Sequence, residues 1–289
     1  TSIGIQKFGM LWRKIKPDLI IVLGDRYEIL SAVIPASFEN IPIAHIHGGE
    51  KTEGAIDEAI RHSITKFSHL HFVAAKEYHR RVTQLGEAPA NIFLVGSMGI
   101  DAIRDTRLIT KYELEKSLNI KLLSKNLLVT YHPVTLEPDK GMNELINLLN
   151  SLKKLEDTCL IFTLPNQDPG SSLIASEVKK FVTHTKNSYY FKSLGQSNYF
   201  SLVNLVDCVI GNSSSGIIEV PYFKKATINI GNRQKGRLRA ESVIDCIGNE
   251  NSIDQAISKI YSREFKDILI DTINPYGEPG ASDKIKQIL

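Results

Sequence analysis

Short, almost wholly apolar runs alternate with longer amphipathic ones along this chain, and polar residues gather where the apolar runs stop. DLIIVLG at 18–24 is rich in Ile, Val and Leu and ends in Gly. It predicts a parallel strand buried on both faces. Asp25 and Arg26 follow at once, leading into a helix from about 26 to 38. A second run, 41–46, ends in His47, Gly48, Gly49 and Glu50. In open α/β sheets ligands bind beyond the carboxyl ends of strands, so two neighbouring polar strand ends predict one site.

Residues 55–67 predict a helix starting just after the Gly-rich turn, with its N-terminal amides facing the same crevice. Asp57 and Arg61 stand four apart and share a face, as do Glu58 and His62. Two readings of Asp57 and Arg61 stay open: a surface ion pair, or part of the site at the strand ends. Ahead of the first strand, Ile5, Phe8, Leu11, Trp12 and Ile15 recur at helical spacing and Pro17 closes the segment. Downstream, a strand at 69–74, a helix at 76–85 and a strand at 92–95 ending in Gly96 continue the alternation. Such alternation argues for a parallel, doubly wound sheet.

The pattern pauses over 101–121, which reads as linker plus helix, and then restarts. Strands are predicted at 126–130 and 158–164 and near Tyr189, Asp207 and Ala226, with helices at 143–154 and 172–183. This predicts three segments: a first domain over 1–105, a second over 106–275, and a C-terminal helix in 276–289, free or packed back on the first domain. Two such domains meeting at a cleft would set their strand ends face to face.

Three polar knots stand at strand ends of the second half. Pro133 stops a strand and leaves His132 at its tip, either as a structural hydrogen-bonding residue or as a functional one. LPNQDPG at 164–170 reads as a turn, with Asn166 and Asp168 capping. GNSSSGIIE at 211–219 follows an apolar run and opens a helix. Small residues there let the backbone approach a phosphate, and the helix start supplies amide donors. One capping Ser would explain one serine but not three with flanking glycines. Glu219, one turn in, is placed to accept from a ribose hydroxyl. GNRQKGRLR then offers Arg233, Lys235, Arg237 and Arg239 as a pyrophosphate clamp, against the plainer reading of a solvated basic loop. No P-loop or dinucleotide GxGxxG is present, so ATP hydrolysis and hydride transfer lack support.

Composition narrows the partners. A chain of 289 residues with 42% apolar and 23% charged residues is ordinary and globular, sized for one large domain or two common ones. A formal charge of +3 with no basic stripe of interleaved aromatics argues against nucleic acid. The three cysteines lie far apart, and Cys159 and Cys208 sit in apolar runs, as buried thiols of a reducing cytosol do. No apolar run is long enough for a bilayer and no leader opens the chain, so no membrane partner is expected. The opening Thr1 in place of Met reads as a start that has been cut or left out.

GDRYE, HIHGGEKTEGAIDEAIRHSITK, GNSSSGIIEVP and TINIGNRQKGR occur in this order and span nearly the whole chain. Together they resemble the hydrolysing UDP-N-acetylglucosamine 2-epimerases, bacterial enzymes that start sialic acid synthesis. A sister group acts on UDP-diacetylbacillosamine for legionaminic acid. The resemblance implies an α/β fold of two Rossmann-like, doubly wound parallel-sheet domains, the GT-B architecture, with the active site in the interdomain cleft. It implies catalytic or sugar-site roles for Asp25, His47, Glu50, Asp57, Arg61 and His132. UDP would be held by Arg26, Ser213, Ser214, Glu219 and Arg233, with Gly96 and Asn166 also in the substrate-binding set. Two departures stand out. Several relatives carry Glu where this chain has His47, so either His47 or Glu50 takes over that proton transfer. Relatives also begin with a strand ending in Gly-Ser/Thr-Arg, so the opening strands of the first domain are expected to be missing.

The activity so implied is conversion of UDP-N-acetylglucosamine to N-acetylmannosamine and UDP. Loss of UDP across the C1–C2 bond would give a glycal, and water would then add with C2 inverted. No metal and no cofactor are expected. The implied protein is cytoplasmic, a homodimer or homotetramer, and takes a UDP-sugar as its partner. The same reaction on UDP-N,N'-diacetylbacillosamine, glycosyl transfer by a GT-B enzyme, and non-catalytic UDP-sugar binding stay open.

Overall fold

The computed structural model of the protein describes residues 1–52, 57–134, 137–165 and 169–289. The expected helix start at Ala55 and the turn reading of Asn166 and Asp168 lie outside these residues. Contacts divide the chain into two compact units: Thr1–Asp101 with Tyr276–Leu289, and Ala102–Pro275.

The first unit runs α1 (Ser2–Ile15), β1 (Ile20–Leu23), α2 (Tyr27–Phe38), β2 (Ile43–Ile46), α3 (Asp57–Phe67), β3 (Leu70–Val73), α4 (Lys76–Gln84) and β4 (Ile92–Leu94), and α5 (Met98–Arg104) starts in it and carries the chain past the division after Asp101. Its described strands form one parallel sheet in the order β1-β2-β3-β4. β2 is buried along its length, as a central strand of small and branched residues should be. β1 departs from the expectation of burial on both faces. Among the described strands it pairs with β2 alone, and Ile21 and Leu23 are each 52% exposed while Ile20 and Val22 are buried. Ile20, Val22, Ile43 and Ile64 pack with Val33 and Trp12, which places α1–α3 over one face.

The second unit runs α6 (Lys111–Leu118), β5 (Lys125–Thr130), α7 (Met142–Lys153), β6 (Thr158–Thr163), α8 (Ser171–His184), β7 (Ser188–Phe191), α9 (Gly195–Leu205), β8 (Cys208–Gly211), α10 (Ser215–Ile218), β9 (Ala226–Ile230), β10 (Val243–Cys246), α11 (Glu250–Ile260) and α12 (Arg263–Asp271). Its parallel sheet has the order β10-β9-β8-β5-β6-β7. The chain leaves β5 toward β6 and β7, then returns to build β8 on the other side. This is the Rossmann order, and its switch point lies between β5 and β8, where open sheets bind ligands. Residues 195–205, 243–246, 250–260 and 263–271 form elements beyond those expected, and Ile253, Ala256, Ile257 and Ile260 of α11 bury one face at helical spacing. Side chains of Asn249 and Ser262 cap α11 and α12, a start signal present in the sequence. All three cysteines are buried, and burial pushes the Cys159 thiol up to about 12 and Cys246 to about 11. No helix among the described residues is long and apolar enough to cross a membrane.

The chain ends in α13 (Ala281–Ile288), which belongs to the first unit. Ala281 and Ile285 pack on Ala44, Ile46, Phe72 and Val95. Two polar anchors fix this return. Tyr78 and Tyr276 are fully buried with their hydroxyls 3.0 Å apart. Asp101 accepts from the amides of Gly280, Ala281 (3.1 Å) and Ser282 (2.6 Å) and from the Ser282 hydroxyl (2.6 Å). Burial alone would raise the Asp101 pKa, but these donors together outweigh it and hold it at about 2. Depression from 3.8 corresponds to about 2–3 kcal/mol of stability, present above pH 4 and lost as pH falls toward 2. Asp101→Asn is therefore expected to lower the unfolding free energy by about that amount at pH 7, with the gap to wild type closing by pH 2 in denaturant titrations.

Candidate active site

In the first unit two strand ends and one helix build a polar assembly. β1 stops at Gly24, whose φ of +88° suits glycine and turns the chain so that Asp25 leaves the sheet. β2 stops at Ile46, and His47 takes a left-handed backbone (φ +68°), uncommon for a residue with a side chain. At Gly49 an added Cβ would lie 2.6 Å from the Tyr78 carbonyl oxygen, so only glycine fits. The turn brings Glu50 back under His47, buried at 3% exposure, with Nδ1 of His47 2.7 Å from Oε1 of Glu50. The Met98 amide at the start of α5 donates to Nε2 of His47 at 3.2 Å. Nε2 therefore carries the lone pair, and Nδ1–H donates to the Glu50 carboxylate.

Arg61 reaches the assembly from α3. It heads the largest fully buried side chains at 1% exposure, which rules out the surface reading for this residue. Its guanidinium donates to the Glu50 carbonyl (2.9 Å), the Thr52 hydroxyl (3.1 Å) and the Asp25 carboxylate. A buried charge is tolerated only when paired and fully hydrogen-bonded, and three acceptors from two loops meet that demand. The Asp25 side chain keeps 23% exposure and so presents a carboxylate at the surface with a fixed cation behind it. Asp57 stands in the first turn of α3, one turn before Arg61. Glu58 accepts from the Thr52 amide at 2.6 Å and lies 3.8 Å from His62, the second pair expected from the spacing. Gly96, with φ +98°, ends β4 against the Tyr276–Gly277 return. Arg26 is half-exposed, 5.6 Å over the Tyr27 ring and 3.6 Å from Glu28.

His45 is a member of this assembly that the sequence reading passed over as part of a strand. It is fully buried, with Nε2 2.8 Å from the Gly24 carbonyl and Nδ1 3.2 Å from the Thr65 hydroxyl. Burial lowers its pKa to about 4, and the bond to Gly24 offsets this only in part. A neutral ring thus ties β2 to the residue before Asp25. A lone histidine inside the apolar IAHI run was the available signal.

In the second unit the tips of β5 and β8 flank the switch point. Gly211 has no room for a side chain, since a Cβ would lie 1.9 Å from the Thr130 carbonyl oxygen. His132 at the β5 tip pairs through its backbone with Asn212 at the β8 tip (2.7 and 2.8 Å). Arg233 and Gln234 both donate to the Asn212 carbonyl at 2.9 Å. Ser213, Ser214 and Ser215 follow, each half-buried. Ser214 makes no side-chain cap, and Ser213 Oγ accepts from the Ser215 amide only at 3.4 Å. The serines thus lead a turn more than they cap a helix. α10 is four residues long, shorter than the helix expected, and Glu219 lies at its end before a 3₁₀ turn over Val220–Phe223. Tyr199, also absent from the sequence reading, donates to Ser215 at 2.7 Å. Of the expected basic clamp, Arg239 is spent on the loop itself: it donates to the Arg237 and Gln234 carbonyls and pairs with Asp245 at 2.6 Å. Asn166 lies outside the described residues.

Comparison with known proteins bears on both units at once. The family model described as UDP-N-acetylglucosamine 2-epimerase matches residues 1–289. The chain belongs to the UDP-N-acetylglucosamine 2-epimerase family. It is 43% identical over 268 residues to the GDP/UDP-N,N'-diacetylbacillosamine 2-epimerase (hydrolyzing) of Campylobacter jejuni, covering 92% of this chain and 69% of that protein. It is 42% identical to the polysialic acid biosynthesis protein P7 of Escherichia coli, covering 97% of this chain and 71% of that one. Among solved structures it is similar to the UDP-GlcNAc 2-epimerase of Neisseria meningitidis bound to UDP-GlcNAc, with TM-score 0.84, 18% identity, and 99% of this chain and 80% of that chain covered. The S. aureus MnaA–UDP structure matches with TM-score 0.82 at 18% identity, covering 99% of this chain and 77% of that one. At that identity these likenesses establish the fold, two Rossmann-like units of the GT-B-like kind.

The strand-end assembly of the first unit carries a testable pH signature. A histidine held near 4 in the fold and near 6.5 when unfolded removes stability as pH falls from 6.5 to 4, by up to about 3 kcal/mol. His45→Gln, whose amide can still reach Gly24, is expected to flatten that part of the stability–pH curve relative to wild type in denaturant titrations.

Proposed function

We propose that this family member is a hydrolysing 2-epimerase that converts UDP-N-acetylglucosamine to N-acetylmannosamine and UDP. The observation that carries the reading is the first unit's strand-end assembly. A carboxylate backed by a buried guanidinium lies beside a hydrogen-bonded His47–Glu50 dyad. Elimination takes the C2 proton and breaks the C1–O bond to release UDP; water then adds its hydroxyl to C1, and C2 regains a proton on the opposite face. Two-way proton traffic at one carbon needs more than one acid–base group, each worth roughly 10²–10⁴-fold. Asp25 or Asp57 carries protons, and the dyad takes the place of the single Glu of relatives. His47 uses both ring nitrogens, so Glu50 is the carboxylate of the pair and His47 holds it in place. Arg61 and His132 stabilise charge. In the second unit Arg233 and the turn at Ser213 and Ser214 hold the pyrophosphate as its charge develops, Glu219 takes the ribose, and Arg26, Gly96 and Asn166 complete the substrate contacts.

A second donor is favoured by a specific likeness. The Campylobacter relative at 43% identity is described as acting on a diacetylbacillosamine nucleotide, so UDP-N,N'-diacetylbacillosamine is the competing substrate of the same chemistry.

Incubation of the full-length protein with each donor, without acceptor and in deuterated water, tests the reading. The expected result is free UDP and a free 2-epimeric sugar carrying deuterium at C2, with Asp25→Asn releasing no UDP. The donor with the larger kcat/KM names the substrate. UDP release only when an acceptor sugar is added would mark a glycosyltransferase, and UDP binding without any product would mark a binding module.

A further inference from the structure

We infer that Asn212 is a positioning residue: its carboxamide fixes His132 and its carbonyl fixes Arg233. The functional weight of those two residues rests on the proposed function; the geometry does not. The ladder between β5 and β8 ends at the pair Thr130–Gly211. One residue further, the Asn212 amide donates to the Thr130 carbonyl at 3.2 Å. Its side chain then extends the ladder where backbone pairing has stopped. Oδ1 accepts from the His132 amide at 2.7 Å, and Nδ2 donates to the His132 carbonyl at 2.8 Å.

Two bonds from one planar group set both the place and the rotation of the His132 backbone, which a single bond would leave free to swing. The setting is dry: Asn212 is 0% exposed and His132 9%. Bonds lost there are not replaced by solvent, and the orphaned groups bear the full desolvation cost. The Asn212 carbonyl meanwhile receives Arg233 and Gln234, one donor for each lone pair. One buried residue thus couples the tips of β5 and β8 and the loop after β9.

The side-chain type follows. His132 presents a donor and an acceptor, so its partner must present an acceptor and a donor at the same spacing. Asp is the same shape but sets a second oxygen against the His132 carbonyl. Ser retains a single hydroxyl too short to span both groups.

The split between side-chain and main-chain contacts gives a test that general loss of stability would not mimic. In the full-length protein, Asn212→Asp should lower kcat on the UDP-sugar by about 10²-fold, the scale of a 1 Å misplacement. The Kd for UDP should stay unchanged in Asn212→Ser, which adds no charge beside the pyrophosphate turn, because the carbonyl that holds Arg233 remains. The ring titration of His132, followed by NMR and assigned with His132→Asn, should move in both variants. If Asn212→Asp does not fold, Asn212→Ser alone is measured in all three ways. A parallel loss of kcat and UDP affinity in Asn212→Ser, unchanged kcat in a folded variant, or an unmoved His132 titration each overturns the inference. Should the wild type turn over no UDP-sugar, the proposed function fails, and the His132 titration alone decides the role of Asn212.

Discussion

A guanidinium taken out of water organises the first unit. Removing an ion from water costs several kcal/mol even in a relaxed protein, so Arg61 can be buried only where acceptors converge on it. They come from the loop after β1 (Asp25) and the loop after β2 (Glu50 carbonyl, Thr52 hydroxyl), while Arg61 itself comes from α3. The loop after β1, 36 residues from Arg61, is therefore obliged to meet the loop after β2 and α3. The rest of the assembly follows from that meeting. Glu50 is held at its carbonyl by Arg61 and at its carboxylate by His47, and His47 is held in turn by the amide of Met98. On the other side His45 fixes the Gly24 carbonyl, and so the departure of the chain into Asp25.

The second unit fixes its strand tips in another way. Its strand tips are joined by neutral, paired hydrogen bonds through Asn212, and a cation is brought in at the rim by Arg233. The difference suits the chemistry proposed for each. Proton transfer at carbon needs acid–base groups held in place, whereas a leaving pyrophosphate needs donors and cations that are already in place before charge develops.

Much of this was legible in the sequence because the polar residues at strand ends interrupt apolar runs: Asp25 after DLIIVLG, His47 and Glu50 after the run 41–46, His132 before Pro133. The i,i+4 spacing put Asp57 and Arg61 on one face but could not say which way that face points, since a surface pair and a buried arginine have the same spacing. His45, Asn212 and Tyr199 were not legible. Each acts on a partner distant in sequence, 21, 80 and 16 residues away, and local patterns carry no such information. In β1 the apolar run buries Ile20 and Val22, while Ile21 and Leu23 are exposed. The elements at 195–205, 243–246, 250–260 and 263–271 were passed over, although Asn249 and Ser262 cap the last two helices and Ile253, Ala256, Ile257 and Ile260 recur at helical spacing.

The central claim is that Asp25 and Arg61 act as one device. A double-mutant cycle on the rate of UDP release in the full-length protein tests it most directly, using Asp25→Asn, Arg61→Lys and the pair. Groups that work as a unit are strongly non-additive, so the double variant is predicted to be no slower than the slower single one. Losses that multiply would contradict the account, because they would mean that the carboxylate and the buried guanidinium contribute independently.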